Sequence, residues 1–146
     1  MTKRPILGIV AAAGLAAGAL APGANAAQLP PPAQDAQHAA AVAPTISPAA
    51  PYKHTTSSTG AYCRTGNLCL HVWDPTKKLW KTFFLYKCRT YSLAHWKKKG
   101  TYHNHQTGGR ATAEFYDHHG QTLKSVPVST GGHFNWTPVW KVRNCT

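Results

Sequence analysis

The chain has 146 residues and carries 16 Lys and Arg against 4 Asp and Glu, a formal net charge of +12 at pH 7. So few acids leave little material for chemistry that needs paired carboxylates, such as glycoside hydrolysis. A balance this basic meets anionic partners by default: acidic proteins, wall polymers, lipid headgroups or nucleic acid.

Residues 1–26 read as a secretory signal peptide. Lys3 and Arg4 supply the positive start, and Ile6 to Ala21 is apolar and rich in Ala and Gly. Pro22 and Gly23 break that run, and Ala24-Asn25-Ala26 gives the small-x-small pattern of a cleavage site. The run is shorter than the roughly 20 apolar residues of a membrane-spanning helix. No cysteine lies beside the cleavage site to take a lipid anchor. A secreted, extracellular protein is therefore expected. Residues 27–60 are Ala, Pro, Ser and Thr with few large apolar side chains. Such a stretch cannot bury enough surface to offset its ordering entropy and reads as a disordered linker or pro-segment.

The folded part is then residues 61–146, one small domain. Its cysteines are Cys63, Cys69, Cys88 and Cys145. Four cysteines allow three connectivities. Cys63–Cys69 closes a glycine turn easily, which leaves Cys88–Cys145 to tie the chain end to the middle of the domain. In the chain-entropy model these loops stabilise by ~2 and ~4 kcal/mol. The paired short spacings of a zinc clip are absent. From Ala61 onward nine lysines and four arginines face two aspartates and one glutamate, a net +10.

Short strands follow one another. Leu68 to Trp73 alternates, with Leu68, Leu70 and Val72 on one face, and Asp74-Pro75 ends it. Trp80 to Cys88 is β-prone throughout. His103 and His105 share a strand face, because side chains alternate along a strand. Arg110 to Tyr116 turns Ala111, Ala113 and Phe115 one way, and Asp117-His118-His119-Gly120 makes a hairpin turn. Gln121 to Val128 returns, Gly131-Gly132 breaks the chain, and Pro138 to Cys145 is the last strand, with Trp140 and Val142 on one face. No segment sustains a 3.6 period. Short strands between turn signals predict an all-β sandwich or barrel.

In order and spacing, Cys63-Arg64-Thr65-Gly66-Asn67-Leu68-Cys69, Cys88-Arg89-Thr90-Tyr91-Ser92-Leu93, Trp96, Asn104-His105-Gln106-Thr107-Gly108-Gly109 and Trp136-Thr137-Pro138-Val139-Trp140 together resemble the streptomycete metalloproteinase inhibitor family, secreted peptidase inhibitors of actinobacteria. The likeness runs from Tyr62 to the C-terminus. It implies a βγ-crystallin-like Greek-key sandwich of two four-stranded sheets with Cys63–Cys69 on the first hairpin. It also implies inhibition of an extracellular protease, a zinc metalloprotease, through a late segment whose counterpart here is Leu123, Lys124, Ser125, Val126, Pro127 and Val128. That segment holds no cysteine. Calcium, which βγ-crystallin folds often bind, wants six to eight oxygens with carboxylates among them. The acids of the domain are Asp74, Glu114 and Asp117, so no tight calcium site is expected.

A second class of function comes from charge. Lys97, Lys98 and Lys99 form a basic tip beside Trp96, and Lys77, Lys78 and Lys81 precede or enter an aromatic strand. These predict a basic surface for an anionic cell-wall or membrane surface, as in a cationic, killer-toxin-like antimicrobial protein. Basic residues among aromatics also suit single-stranded nucleic acid. The simpler account makes the aromatics core and the lysines rim, so no specific nucleic acid is predicted. His103 and His105 are the weak candidates for a metal, which needs further ligands to be fixed. No nucleophile–base pair or G-x-S-x-G elbow is present. The chain is expected to be a non-enzymatic monomer without a cofactor.

Overall fold

The computed structural model describes residues 40–108 and 111–145, all within one unit, His38–Thr146. The expected signal peptide lies outside the described residues. Among the described residues there are ten strands and no helix. They are β1 (Thr45–Ser47), β2 (Tyr52–Thr55), β3 (Leu68–Asp74), β4 (Leu79–Leu85), β5 (Thr90–Ala94), β6 (Lys99–Asn104), β7 (Ala113–Tyr116), β8 (Thr122–Val126), β9 (Thr130–Asn135) and β10 (Lys141–Arg143).

Two antiparallel five-stranded sheets result, ordered β1-β5-β10-β7-β8 and β2-β4-β3-β6-β9. The resemblance implied four strands in each. The fifth comes in both cases from residues expected to be linker. β1 pairs with β5, and β2 pairs with β4, each as an outer strand. The expected disorder therefore does not extend over 40–60. Ile46 packs against the core, and buried Pro44 accepts a hydrogen bond from Lys81 Nζ at 3.0 Å. These contacts supply the burial that composition alone does not show.

The core follows from period-two alternation. Leu68, Leu70 and Val72 of β3 are fully buried, as are Leu85 of β4, Phe115 of β7 and Val142 of β10. Each such side chain gains ~1.5–3 kcal/mol over exposure to water. Aromatic rings join the two sheets: Tyr102 of β6 meets Phe115 of β7 edge-to-face at 5.5 Å, and Trp136 lies 5.3 Å from Phe115. Trp136 is completely buried, so its indole N–H needs a partner, and it donates to His71 O at 2.8 Å. That approach is open only because residue 100 is glycine. A Cβ there would collide with both His71 O and the Trp136 indole.

Both disulfides form with the expected pairing, Cys63–Cys69 and Cys88–Cys145. The second is reinforced by Asn144, fully buried, which donates from Nδ2 to Leu85 O at 2.9 Å and Lys87 O at 3.0 Å. Two expectations change. Gly131-Gly132 is not a break but part of β9, paired with His103 and Tyr102 of β6. Trp140 does not share the buried face of Val142; it precedes β10 and is 56% exposed.

Candidate functional site

The segment Leu123–Val128 begins in β8, the last strand of its sheet, so one edge of its backbone has no strand partner among the described residues. Alternation splits its side chains. Leu123 and Ser125 face outward, Lys124 reaches over the Tyr102 ring at 5.5 Å, and Val126 is 1% exposed. Val126 is thus a core residue and not a contact surface. Beyond it the chain turns sharply, with Ser129 at a φ of 60°, a left-handed conformation uncommon outside glycine.

Hydrogen bonds hold that turn in place of a disulfide. Asn104, fully buried at the end of β6, donates from Nδ2 to Val126 O at 2.8 Å and to Ala111 O at 3.0 Å. Its Oδ1 accepts from Gln106 N at 3.1 Å, and its backbone carbonyl accepts from Ser129 N at 2.8 Å. Thr130 Oγ1 donates to Pro127 O at 2.6 Å. Pro127 is left exposed on a backbone fixed from beneath. Asn104 was not picked out from sequence as a functional residue. Its signal is a polar side chain on the strand face opposite His103 and His105, a position that must find hydrogen bonds once buried.

The lysines separate into two groups. Lys97, Lys98 and Lys99 are exposed at a tip where Lys98 has a φ of 66°, and Lys77 and Lys78 are exposed in the β3–β4 turn. Because His71 of β3 lies opposite Thr101 of β6, the turn and the tip fall at the same end of the sheet. Lys81, expected on this basic surface, is not there. It is 6% exposed, sits 4.1 Å over the Tyr52 ring, and donates to Pro44 O. Burial holds its ammonium below the usual lysine range, against the pull of Asp74. Near the tip a groove of about 320 Å³ is lined by His95, Trp96, Lys97, Val139 and Trp140, among others.

The acids among the described residues, Asp74, Glu114 and Asp117, are all engaged. Asp74 bonds His54 Nε2 at 2.9 Å and Thr76. Burial would raise its carboxyl, but these hydrogen bonds outweigh it and hold the group below the ordinary range. Glu114 accepts a hydrogen bond from Tyr116, and Asp117 caps the turn through the N–H groups of His119 and Gln121. The hydrogen bond from Tyr116 to Glu114 is the main cause of that phenol's raised value.

The outer face of the β2–β9 sheet carries a cleft of about 740 Å³ lined by His71, His103, His105 and His133, among others. His71 is a clasp inside it. Its Nδ1 lies 2.7 Å from Thr82 Oγ1 and its Nε2 3.1 Å from Ser57 O, and Trp80 stacks on the ring at 4.9 Å. The Ser57 carbonyl can only accept, so Nε2 bears the proton and Nδ1 accepts from Thr82. Burial is the largest influence and lowers the imidazole's affinity for a second proton. His103 and His105 come together as expected, with ring centroids 4.1 Å apart. No group of three potential metal ligands occurs among the described residues.

These features define an all-β unit braced by two disulfides, a construction compatible with an extracellular protein. No helix among the described residues is long and apolar enough to cross a membrane. No protein-family model, curated protein or solved structure matches the chain.

Proposed function

We propose that this is a secreted peptidase inhibitor of the streptomycete metalloproteinase inhibitor type, with a βγ-crystallin-like Greek-key arrangement, directed at an extracellular zinc metalloprotease. The observation that carries the reading is the braced turn from Val126 to Thr130 at the end of an edge strand. A substrate-like segment inhibits when it is held in its bound shape beforehand, which lowers the entropy cost of binding. An unpaired strand edge offers main-chain groups to a cleft as an extended peptide does. In this role Leu123, Ser125, Pro127 and Val128 make the contacts, while Val126 and Asn104 hold them in place. The basic surface speeds encounter with an acidic protease, an effect that salt weakens. The test is titration of a thermolysin-type zinc protease with the oxidised protein and with Leu123→Asp. Stoichiometric inhibition by the first and its loss in the second support the reading.

A second reading rests on the lysine end of the β2–β9 sheet. Lys77, Lys78, Lys97, Lys98 and Lys99 lie there, and a groove beside Lys97 contains exposed Trp140. Cations around an exposed indole suit an anionic cell-wall or membrane surface. Reversing Lys97, Lys98 and Lys99 to Glu abolishes binding to anionic vesicles under this reading and leaves protease inhibition intact.

A further inference from the structure

We propose that His103 and His105 form an open site for a divalent cation of the zinc–copper class, on the outer face of the β2–β9 sheet. The two imidazoles sit two residues apart on and just beyond β6, with rings 4.1 Å apart. One ion with nitrogen bonds of ~2.0–2.1 Å can be reached by both.

The hydrogen bonding of His105 prepares it to ligate. Its Nδ1 lies 2.9 Å from the backbone carbonyl of Cys63. A carbonyl only accepts, so Nδ1 carries the proton and Nε2 presents its lone pair. A ring N–H held by a backbone carbonyl is the usual outer partner of a metal-bound histidine. The His103 ring makes no side-chain hydrogen bond among the described residues and faces solvent, so it is free to turn toward the same ion.

The mount is rigid. Asn104, between the two, is locked into the core, and His105 N donates to Asn67 O at 2.9 Å. Of the other donors lining the cleft, His133 completes no three-ligand group with this pair among the described residues. Both ring nitrogens of His71 are engaged, and both cysteines there are in a disulfide. With two protein ligands the remaining positions fall to water or to a donor from a partner. Among the described residues no carboxylate lines the cleft, which selects against calcium and magnesium.

The experiment is calorimetric titration of the oxidised protein with Zn²⁺, with Ca²⁺ as the contrast. The expected result is one Zn²⁺ per chain and no Ca²⁺. His103→Ala is expected to weaken Zn²⁺ binding by about tenfold or more, at least the scale on which outer partners alone act. A His118→Ala, His119→Ala double variant is expected to bind as the parent does. Zinc binding that survives His103→Ala, that is lost in the His118/His119 variant, or that is absent from the parent overturns the proposal. His105→Ala adds a second arm, and if it fails to fold the exposed His103 decides the question.

Discussion

Replacing Asn104 by Ala removes a carboxamide that is fully buried and makes three hydrogen bonds, to Val126 O, Ala111 O and Gln106 N. Each bond contributes about 0.5–1.5 kcal/mol net, and a buried partner left unsatisfied costs about 1–3 kcal/mol. Some of the partners reach water after the change, so the expected loss is ~2–5 kcal/mol. Urea unfolding followed by tryptophan fluorescence, with disulfides intact, reads this as a lower midpoint at an unchanged slope. Asn104→Asp is a stricter companion: it keeps the shape, removes both donors and buries an unpaired charge, so it is expected to be no better than Ala. A loss under ~1 kcal/mol for Asn104→Ala with unchanged slope would refute the argument that this side chain braces the 126–130 turn.

Gly100→Ala is expected to destabilise by at least ~1–3 kcal/mol, because the added Cβ meets backbone and a buried indole, neither of which can yield cheaply; thermal denaturation checks it. Replacing Cys88 and Cys145 together by Ser releases a tie across 57 positions and is expected to cost ~4 kcal/mol in the chain-entropy model, read from the same urea transition. Burial holds the folded-state His71 imidazole below its ordinary range, so the unfolded chain binds more protons. Stability therefore falls as pH drops below about 6.5 and levels off once the native imidazole is itself protonated. His103 acts with the same sign. The His71 share is the part of the loss between pH 7.5 and 5.5 that disappears in His71→Gln; an unchanged loss in that variant would show that the clasp does not titrate in this window.

The central strands were legible because burial on one face writes itself as alternation: Leu68, Leu70 and Val72 all point into the core, as do Ala113 and Phe115. The disulfide pairing was legible from loop lengths. β1 and β2 were not, because these short outer strands hold themselves mainly by backbone hydrogen bonds, which Thr, Ser, Lys and His make as well as Val or Ile do. β9 was hidden by Gly131 and Gly132. They read as a break, yet Gly132 leaves the space that the Tyr102 side chain fills; a Cβ there would stand 3.1 Å from Tyr102 Oη. Lys81 read as surface because its cover, Pro44 and Tyr52, comes from the segment that looked unstructured. Within the candidate site the exposed positions Leu123, Ser125 and Pro127 were named in advance. Val126 was misplaced by grouping consecutive residues of a strand as one surface. Asn104 was missed because its role exists only once β6 lies beside the 126–130 turn.

The account stands most directly on inhibition of a thermolysin-type zinc protease by the oxidised, folded protein, measured across a range of salt. Tight, stoichiometric inhibition, with association slowed by salt and inhibition lost in Leu123→Asp, is the predicted result. Full protease activity in the presence of excess folded, disulfide-intact protein at every salt concentration would contradict it and leave the lysine end of the sheet as the functional surface.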